Sequence, residues 1–277
     1  SINYYLKSKL DEKVKLTLVD ESGQVMRTIE GPAEAGINRV WWDLRHEEAK
    51  EARLRLRPPG NPHVDFDPDG KLTLQNYALN RGLFGPLVLP GTYTVKLSVN
   101  GQELSQQLTV IKDPRSEGTL ADVRAQHELS MKIWNDINEV VDTVDLIESM
   151  RVQLKDLLER LEADEGQMDA VITAAKELET KLTATEDKLV QRALAEGDPK
   201  SFRQIQKVYG QLSNLANIVG GGSADFPPTQ QAIAVYEALK NEKSIAMNEL
   251  QGLLDRDIPA FNTALQQANF HGIVAVR

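Results

Sequence analysis

The residues with the most chemical promise are the oxygens of Asp65-Phe66-Asp67-Pro68-Asp69-Gly70. Carboxylates at positions one, three and five with glycine at six open a calcium-binding loop, which wraps the ion in hard oxygen ligands. Position twelve of such a loop is Asn76 here rather than a bidentate glutamate, and Pro68 lies inside the turn. Asp65, Asp67 and Asp69 are therefore the calcium candidates of a stretch expected to form an acidic loop closed by an Asp-Gly turn. Carboxylates abound elsewhere, among them Asp142, Asp145, Glu148, Glu159 and Glu162. Retaining glycoside hydrolysis needs two such groups about 5 Å apart in a cleft, with their acidities pushed apart. On a helical surface these are expected to be solvated instead. His46, His63, His127 and His271 offer no i,i+4 pair and no HExxH, so a zinc site lacks its three ligands. No GxSxG nucleophile turn is present. Gly220-Gly221-Gly222 lacks the Gly-Lys-Ser/Thr of a phosphate loop and follows a helical pattern, so it reads as a hinge. The absence of cysteine excludes disulfides, iron–sulfur clusters and thiolate zinc. No cofactor is implied.

Aromatic residues are 5% of the chain, yet Trp41 and Trp42, two of its three tryptophans, are adjacent. Neighbours in a strand point to opposite faces. Trp42 is expected to line a sheet core, and Trp41 to pack under a loop or against helices. A pair of exposed tryptophans would instead stack on sugar rings, the carbohydrate-binding reading. Asp43 and Arg45 share a face and are expected to pair at the surface.

Those residues need elements to hold them. Val14, Leu16 and Leu18 alternate with polar residues, and Gly23 closes a turn before Gln24–Gly31. Ile37, Val40, Trp42 and Leu44 change parity, which predicts a bulge or a strand start after Asn38. Tyr93, Val95, Leu97 and Val99 lead to an Asn100-Gly101 type I′ turn and a returning strand. With Ile2–Leu6 this makes six or seven short strands, best closed as two packed sheets. Between His46 and Leu89 prolines and glycines break the pattern, apart from a charged helical turn or two in Glu47–Leu56. A loop of that length is expected to have a task, covering a sheet or touching a neighbouring domain.

From Pro114 the period changes to three and four. Leu120, Val123, His127, Trp134, Ile137, Val141, Val144 and onward to Leu161 give one helix over about 120–163. His127 on that seam reads as a packed core histidine. Further helices start near Met168, at Phe202 and after Phe226-Pro227-Pro228-Thr229, with Pro259 expected to kink the last one or start a new helix. Glu177 and Lys181 are spaced for a surface pair. Long helices joined by short loops define a bundle.

The chain has 277 residues and a net charge of −9. Residues 1–112 hold 15 basic against 14 acidic side chains, and the rest 17 against 27. The helical part thus carries the acidity, which repels nucleic acid and anionic lipid. No apolar run approaches the roughly eighteen residues of a membrane span. SINYYLK already reads as a strand, so the chain is expected to be a piece of a longer protein.

GQVMRTI, GINRVWWDLR and GPLVLPGTYTVKLSVNGQELSQQLTVIKDPR resemble the C-terminal region of bacterial WD40/YVTN/BNR-like repeat proteins. Those proteins carry a sortilin-like, glycosyl hydrolase-like propeller ahead of this region. The β module is similar to the immunoglobulin-like domain of the flagellar hook-capping protein. FPPTQQA and DIPAFNTALQQA resemble the end of the same repeat proteins, so the likeness spans essentially the whole chain. It implies export to the periplasm or beyond, the propeller or a second copy as partner, and no catalytic residue at these positions. The expected architecture is a β plus all-α pair of domains. An immunoglobulin-like β-sandwich covers 1–112, with a loop insertion at 46–89. A four-helix coiled-coil-like bundle covers 113–270, and 271–277 is a tail. Trp42, Tyr93, His127 and Trp134 are its expected structural residues. The expected function is a non-catalytic structural or interaction module of a larger extracytoplasmic protein. The alternatives are a carbohydrate-binding module using Trp41 and Trp42, or the non-catalytic part of a glycoside hydrolase whose site lies in the propeller.

Overall fold

The computed structural model describes residues 1–74, 83–163, 168–194, 203–221, 225–268 and 270–275. An N-terminal β-sheet region is followed by a C-terminal helical bundle. Among the described residues the strands are β1 (Ile2–Leu6), β2 (Val14–Val19), β3 (Val25–Gly31), β4 (Gly36–Val40), β5 (Arg53–Leu54), β6 (Leu72–Thr73), β7 (Gly91–Val99) and β8 (Gln102–Val110). The α-helices are α1 (Leu120–Ala163), α2 (Asp169–Leu189), α3 (Val208–Gly220), α4 (Gln230–Gly252) and α5 (Ile258–Gln267). Secondary structure changes character between residues 110 and 120. The compact units are drawn differently. One comprises Ser1–Ala49, Phe84–Trp134 and Ile218–Thr229, the other Lys50–Leu83, Asn135–Asn217 and Gln230–Arg277.

In the first unit β1 and β4 form one antiparallel pair, and β3-β2-β7-β8 form an antiparallel sheet. Neither closes on itself. The β7–β8 turn places Asn100 and Gly101 at φ 48° and 76°, the pair of positive values a type I′ turn requires. Inward residues of both sheets make one core, in which Tyr4, Val40 and Trp42 join Leu16, Leu18 and Val95. Burying such side chains stabilises by about 1.5–3 kcal/mol each. Neither the bulge nor the strand start expected after Asn38 occurs. β4 pairs with β1 in unbroken register, and the register shift lies instead at Leu18/Val19 of β2. Ile37 simply faces solvent while Asn38 turns inward. The Asn38 side chain donates to the carbonyls of Glu34 at 2.8 Å and Gly36 at 3.2 Å, satisfying a turn that would otherwise bury bare acceptors. At the start of α1, Thr119 and Asp122 form a reciprocal capping box with bonds of 2.8 and 3.1 Å.

In the second unit the charged run Glu47–Leu56, expected to coil, is extended where it enters as residues 50–56. Short β5 pairs with β6. The reason is a set of competing acceptors. Lys50 N–H donates to Asn138 Oδ1 at 2.8 Å, Ala52 N–H to the Tyr209 hydroxyl at 3.2 Å, and Leu56 N–H to Glu148 at 2.8 Å. These bonds replace the ones a helix would have made. Residues 50–56 of the long loop thus lie against helices. α1 has the expected 44-residue span. α3 begins at Val208; Phe202, the expected start, lies outside the described residues, as do Gly197-Asp198-Pro199. Pro259 lies in the first turn of α5, the start of a new helix, which is the second of the two expected outcomes. A π-helical turn, Leu253–Asp257, precedes it, with Ile258 N–H bonded to Leu253 O. Widening the helix by one residue there accommodates a position that has no N–H to give. Lys181 bonds Asp257 at 2.5 Å rather than forming the expected pair with Glu177.

Candidate functional site

The alternation of β4 continues past its end, so Ile37, Arg39 and Trp41 face out while Asn38, Val40 and Trp42 face in. Register places Tyr5 opposite Ile37 and Asn3 opposite Arg39. Arg39 Nε donates to Asn3 Oδ1 at 2.8 Å. The outward face is thereby a band in which Trp41 is 74% exposed, Tyr5 69% and Ile37 82%. Trp41, expected under a loop or against helices, is uncovered because its parity puts it on the face away from the core. Trp42 is only 8% exposed. A platform of two exposed tryptophans is thus not formed.

The residues after Trp41 act as an internal clasp. Trp42 meets Tyr93 edge to face at 5.9 Å, and its indole N–H donates to Arg45 O at 2.8 Å. Tyr93 in turn donates to Leu89 O at 2.5 Å. Leu44 adopts φ 60°, a left-handed turn that β-carbon-bearing residues rarely take. Asp43 stabilises it by accepting the Arg45 N–H at 3.1 Å. The expected Asp43–Arg45 side-chain pair does not form. Arg45 instead donates to Gly85 O at 2.9 Å and Gly220 O at 3.1 Å, and its guanidinium lies 4.7 Å from the Phe84 ring centroid. Burial holds its acidity constant below the ordinary arginine value. Gly220, read as part of a hinge, is therefore the anchored end of α3, whereas Gly222 lies outside the described residues.

His127 sits 2.7 Å by Nδ1 from Leu87 O and 5.7 Å between ring centroids from His46. A carbonyl only accepts, so Nδ1 carries the proton. Burial, and then the charge of His127, lower the His46 pKa. Trp134 donates to Glu47 O at 3.0 Å. A cavity of about 230 Å³ is lined by His127, Ser130, Lys112 and Asp113. The Lys112 ammonium already donates to Ser116 O at 2.7 Å.

The calcium candidates point elsewhere. Arg53 bonds Asp67 at 2.7 Å and binds Asp69 through both guanidinium nitrogens. Those bonds hold both carboxyls below the usual carboxylate range. Asp65 does not join them. No cluster of three or more possible metal ligands occurs among the described residues. A guanidinium occupies the lone pairs a cation would need.

Glu148, expected on a solvated surface, is fully buried, as is Glu186 of α2. Glu148 Oε2 accepts the N–H groups of Leu56 and Arg55, and its Oε1 accepts Arg151 Nη1 at 2.6 Å. The same nitrogen reaches Glu186 Oε2 at 2.5 Å. Burial, and next the charge of Glu148, push Glu186 up to about 8. Two carboxylates with divided acidities are the equipment of acid–base catalysis, but solvent-excluded oxygens give a substrate no entry. Spacing gave a faint trace of this cluster: Glu148 and Arg151 lie three apart, and Glu179 and Glu186 seven apart. Asp142 and Asp145, by contrast, are taken up by Lys50 and by Arg55 with Lys71.

No helix among the described residues is long and apolar enough to cross a membrane. Comparison with protein-family models, curated proteins and solved structures finds no match.

Proposed function

We propose that the chain is a non-catalytic interaction module whose contact surface is the outward face of β1 and β4. The observation that carries this is the exposure of Trp41 beside Tyr5, Ile37 and Arg39. Tryptophan, tyrosine and arginine are the residues in which interface energy concentrates. Together the three apolar side chains expose on the order of 400 Å², the size of patch that tends to be functional. We read the two sheets sharing one core as an immunoglobulin-like sandwich, in line with the family resemblance. That resemblance also makes a propeller, in the same extracytoplasmic protein or a second copy, the expected partner. A carbohydrate reading retains one support: Trp41 has the Asn3–Arg39 pair beside it, a stacking ring next to hydrogen-bonding groups.

The test is calorimetric titration of the chain with itself, with a propeller from a protein of the resembled family, and with soluble oligosaccharides. Binding to propeller or self that falls at least tenfold in Trp41→Ala supports the interaction module. Binding to oligosaccharide alone replaces it with the carbohydrate reading. Unchanged affinity of Trp41→Ala for every partner removes this face as the site.

A further inference from the structure

In the second unit three carboxylates, Glu148, Glu179 and Glu186, meet two guanidiniums, Arg151 and Arg192. The cluster is one negative charge in excess, and Arg192 is shared with Asp187 at 2.7 Å. The donors are unevenly divided. Glu148 receives three, two backbone N–H groups and Arg151, all favouring its ionised form. Glu186 receives Arg151 on Oε2, while its Oε1 is buried with no partner. A buried carboxylate oxygen without a donor is strongly unfavourable. Arg151 Nη1 bonds both Glu148 Oε1 at 2.6 Å and Glu186 Oε2 at 2.5 Å, so the two buried carboxyls are held around one nitrogen. Protonating Glu186 ends the burial of a bare carboxylate oxygen and lowers the excess negative charge of the cluster.

We propose that Glu186 carries a proton in neutral solution and that this proton latches α2 to α1. Every charged group around it fits. From α1 come Glu148 and Arg151, and from α2 Glu179 and Asp187. Arg192 follows α2. From the extended segment come two backbone N–H groups, while the Arg55 side chain and Lys71 are committed to Asp145. The pairs that tie α2 to its other neighbours, Lys188–Glu249 and Lys181–Asp257, reach solvent. Base removes the proton to hydroxide, forming water and leaving two carboxylates face to face around one guanidinium. The latch then opens.

The experiment is a side-chain carbon NMR titration of glutamate-labelled chain from about pH 5 to about pH 10, which follows each carboxyl directly. One glutamate is expected to titrate in the alkaline range, and that transition is expected to be lost in Glu186→Gln. In Glu148→Gln the transition of Glu186 moves to lower pH. Should every glutamate of the wild-type chain titrate in the ordinary acid range, Glu186 holds no proton in neutral solution, and this reading needs no variant. Persistence of the alkaline transition in Glu186→Gln equally overturns it. The latch itself is read from the melting temperature, which in the wild type falls relative to Glu186→Gln as pH rises from about 4.5 towards about 8, and no further above it. Equal falls in both refute the latch.

Discussion

Trp41 and Trp42 are one bond apart in sequence, and replacing each with alanine is expected to give opposite phenotypes. Trp42→Ala opens a cavity at a site that is 8% exposed. Removing a buried tryptophan costs about 3–5 kcal/mol. The lost bond from its indole to Arg45 O adds about 1 kcal/mol. The edge-to-face contact with Tyr93 adds about 0.5–1.5 kcal/mol. The expected loss is about 4.5–7.5 kcal/mol, comparable with the whole stability of a small domain. Trp42→Phe keeps most of the volume and loses only the N–H, so it is expected to recover all but about 1–2 kcal/mol. Trp41→Ala removes a side chain that is 74% exposed, and its stability effect stays within about 0.5 kcal/mol. Its effect is on binding. Urea unfolding followed by circular dichroism measures the first quantity, and titration calorimetry the second. A Trp42→Ala chain that loses less than about 1 kcal/mol, or a Trp41→Ala chain less stable than Trp42→Ala, refutes the division of the pair between core and contact face.

Glu186 has a folded-state pKa raised from 4.5 to about 8. Its contribution to stability is therefore complete below about 4.5 and is lost as pH rises towards about 8, by about 1.4 kcal/mol per pH unit. Urea midpoints of Glu186→Gln and wild type, compared across that window, should diverge in favour of the variant as pH rises. A pH-independent difference contradicts the assignment. His46 has the reverse sign: its lowered pKa makes the folded state gain stability as pH rises through about 6.5, a term that cancels in the comparison. Gly85→Ala places a methyl group against the carbonyl oxygens of His46 and Glu47. Displacing that backbone is expected to lower stability by about 2–3 kcal/mol in thermal unfolding, where a surface glycine such as Gly23 shows no clash.

Periodicity carried the parts of this fold that depend on one element at a time. The seam from Leu120 to Leu161 defines α1 because a long helix exposes its period to any reader. Asn100-Gly101 defines its turn because few residues tolerate two positive φ angles in succession. What was illegible depends on partners far away in sequence. Ile37 looked like a core residue by type, and only the inward turn of Asn38 onto Glu34 O reveals that it is not. The extended course of Lys50–Leu56 depends on acceptors supplied by Asn138, Glu148 and Tyr209. Glu148 looks like any other helix carboxylate until Arg151 bridges it to Glu186, 38 positions later in the chain. The two tryptophans were divided correctly in principle, since alternation sends neighbours to opposite faces. The uncovered state of Trp41 required knowing that nothing in the described chain folds over it.

The boundary near residue 112 marks a change of secondary structure, and cutting there tests whether it also marks a unit of folding. Residues 1–112 contain the strands of both sheets of the first unit. They lack three groups that the unit uses: Gly220 O, which accepts from Arg45, His127, which bonds Leu87 O, and Trp134, which bonds Glu47 O. Without them the Arg45 guanidinium loses one of its two carbonyls, and hydrogen bonds to charged groups contribute about 1.5–3 kcal/mol each. Leu44 keeps its left-handed conformation at an intrinsic cost of roughly 1–2 kcal/mol with less to hold it there. The Leu87 and Glu47 carbonyls revert to water, together about 1–3 kcal/mol more. These losses add to about 3–6 kcal/mol, enough to exhaust a marginal domain. A fragment of residues 1–112 is therefore expected to show dispersed NMR signals only for the β2–β3 and β7–β8 hairpins, or none. Extending it through Trp134 and supplying 218–229 should restore them. Native-like dispersion and a cooperative melt from 1–112 alone would show that the WWDLR clasp is dispensable and that the strands carry their own fold.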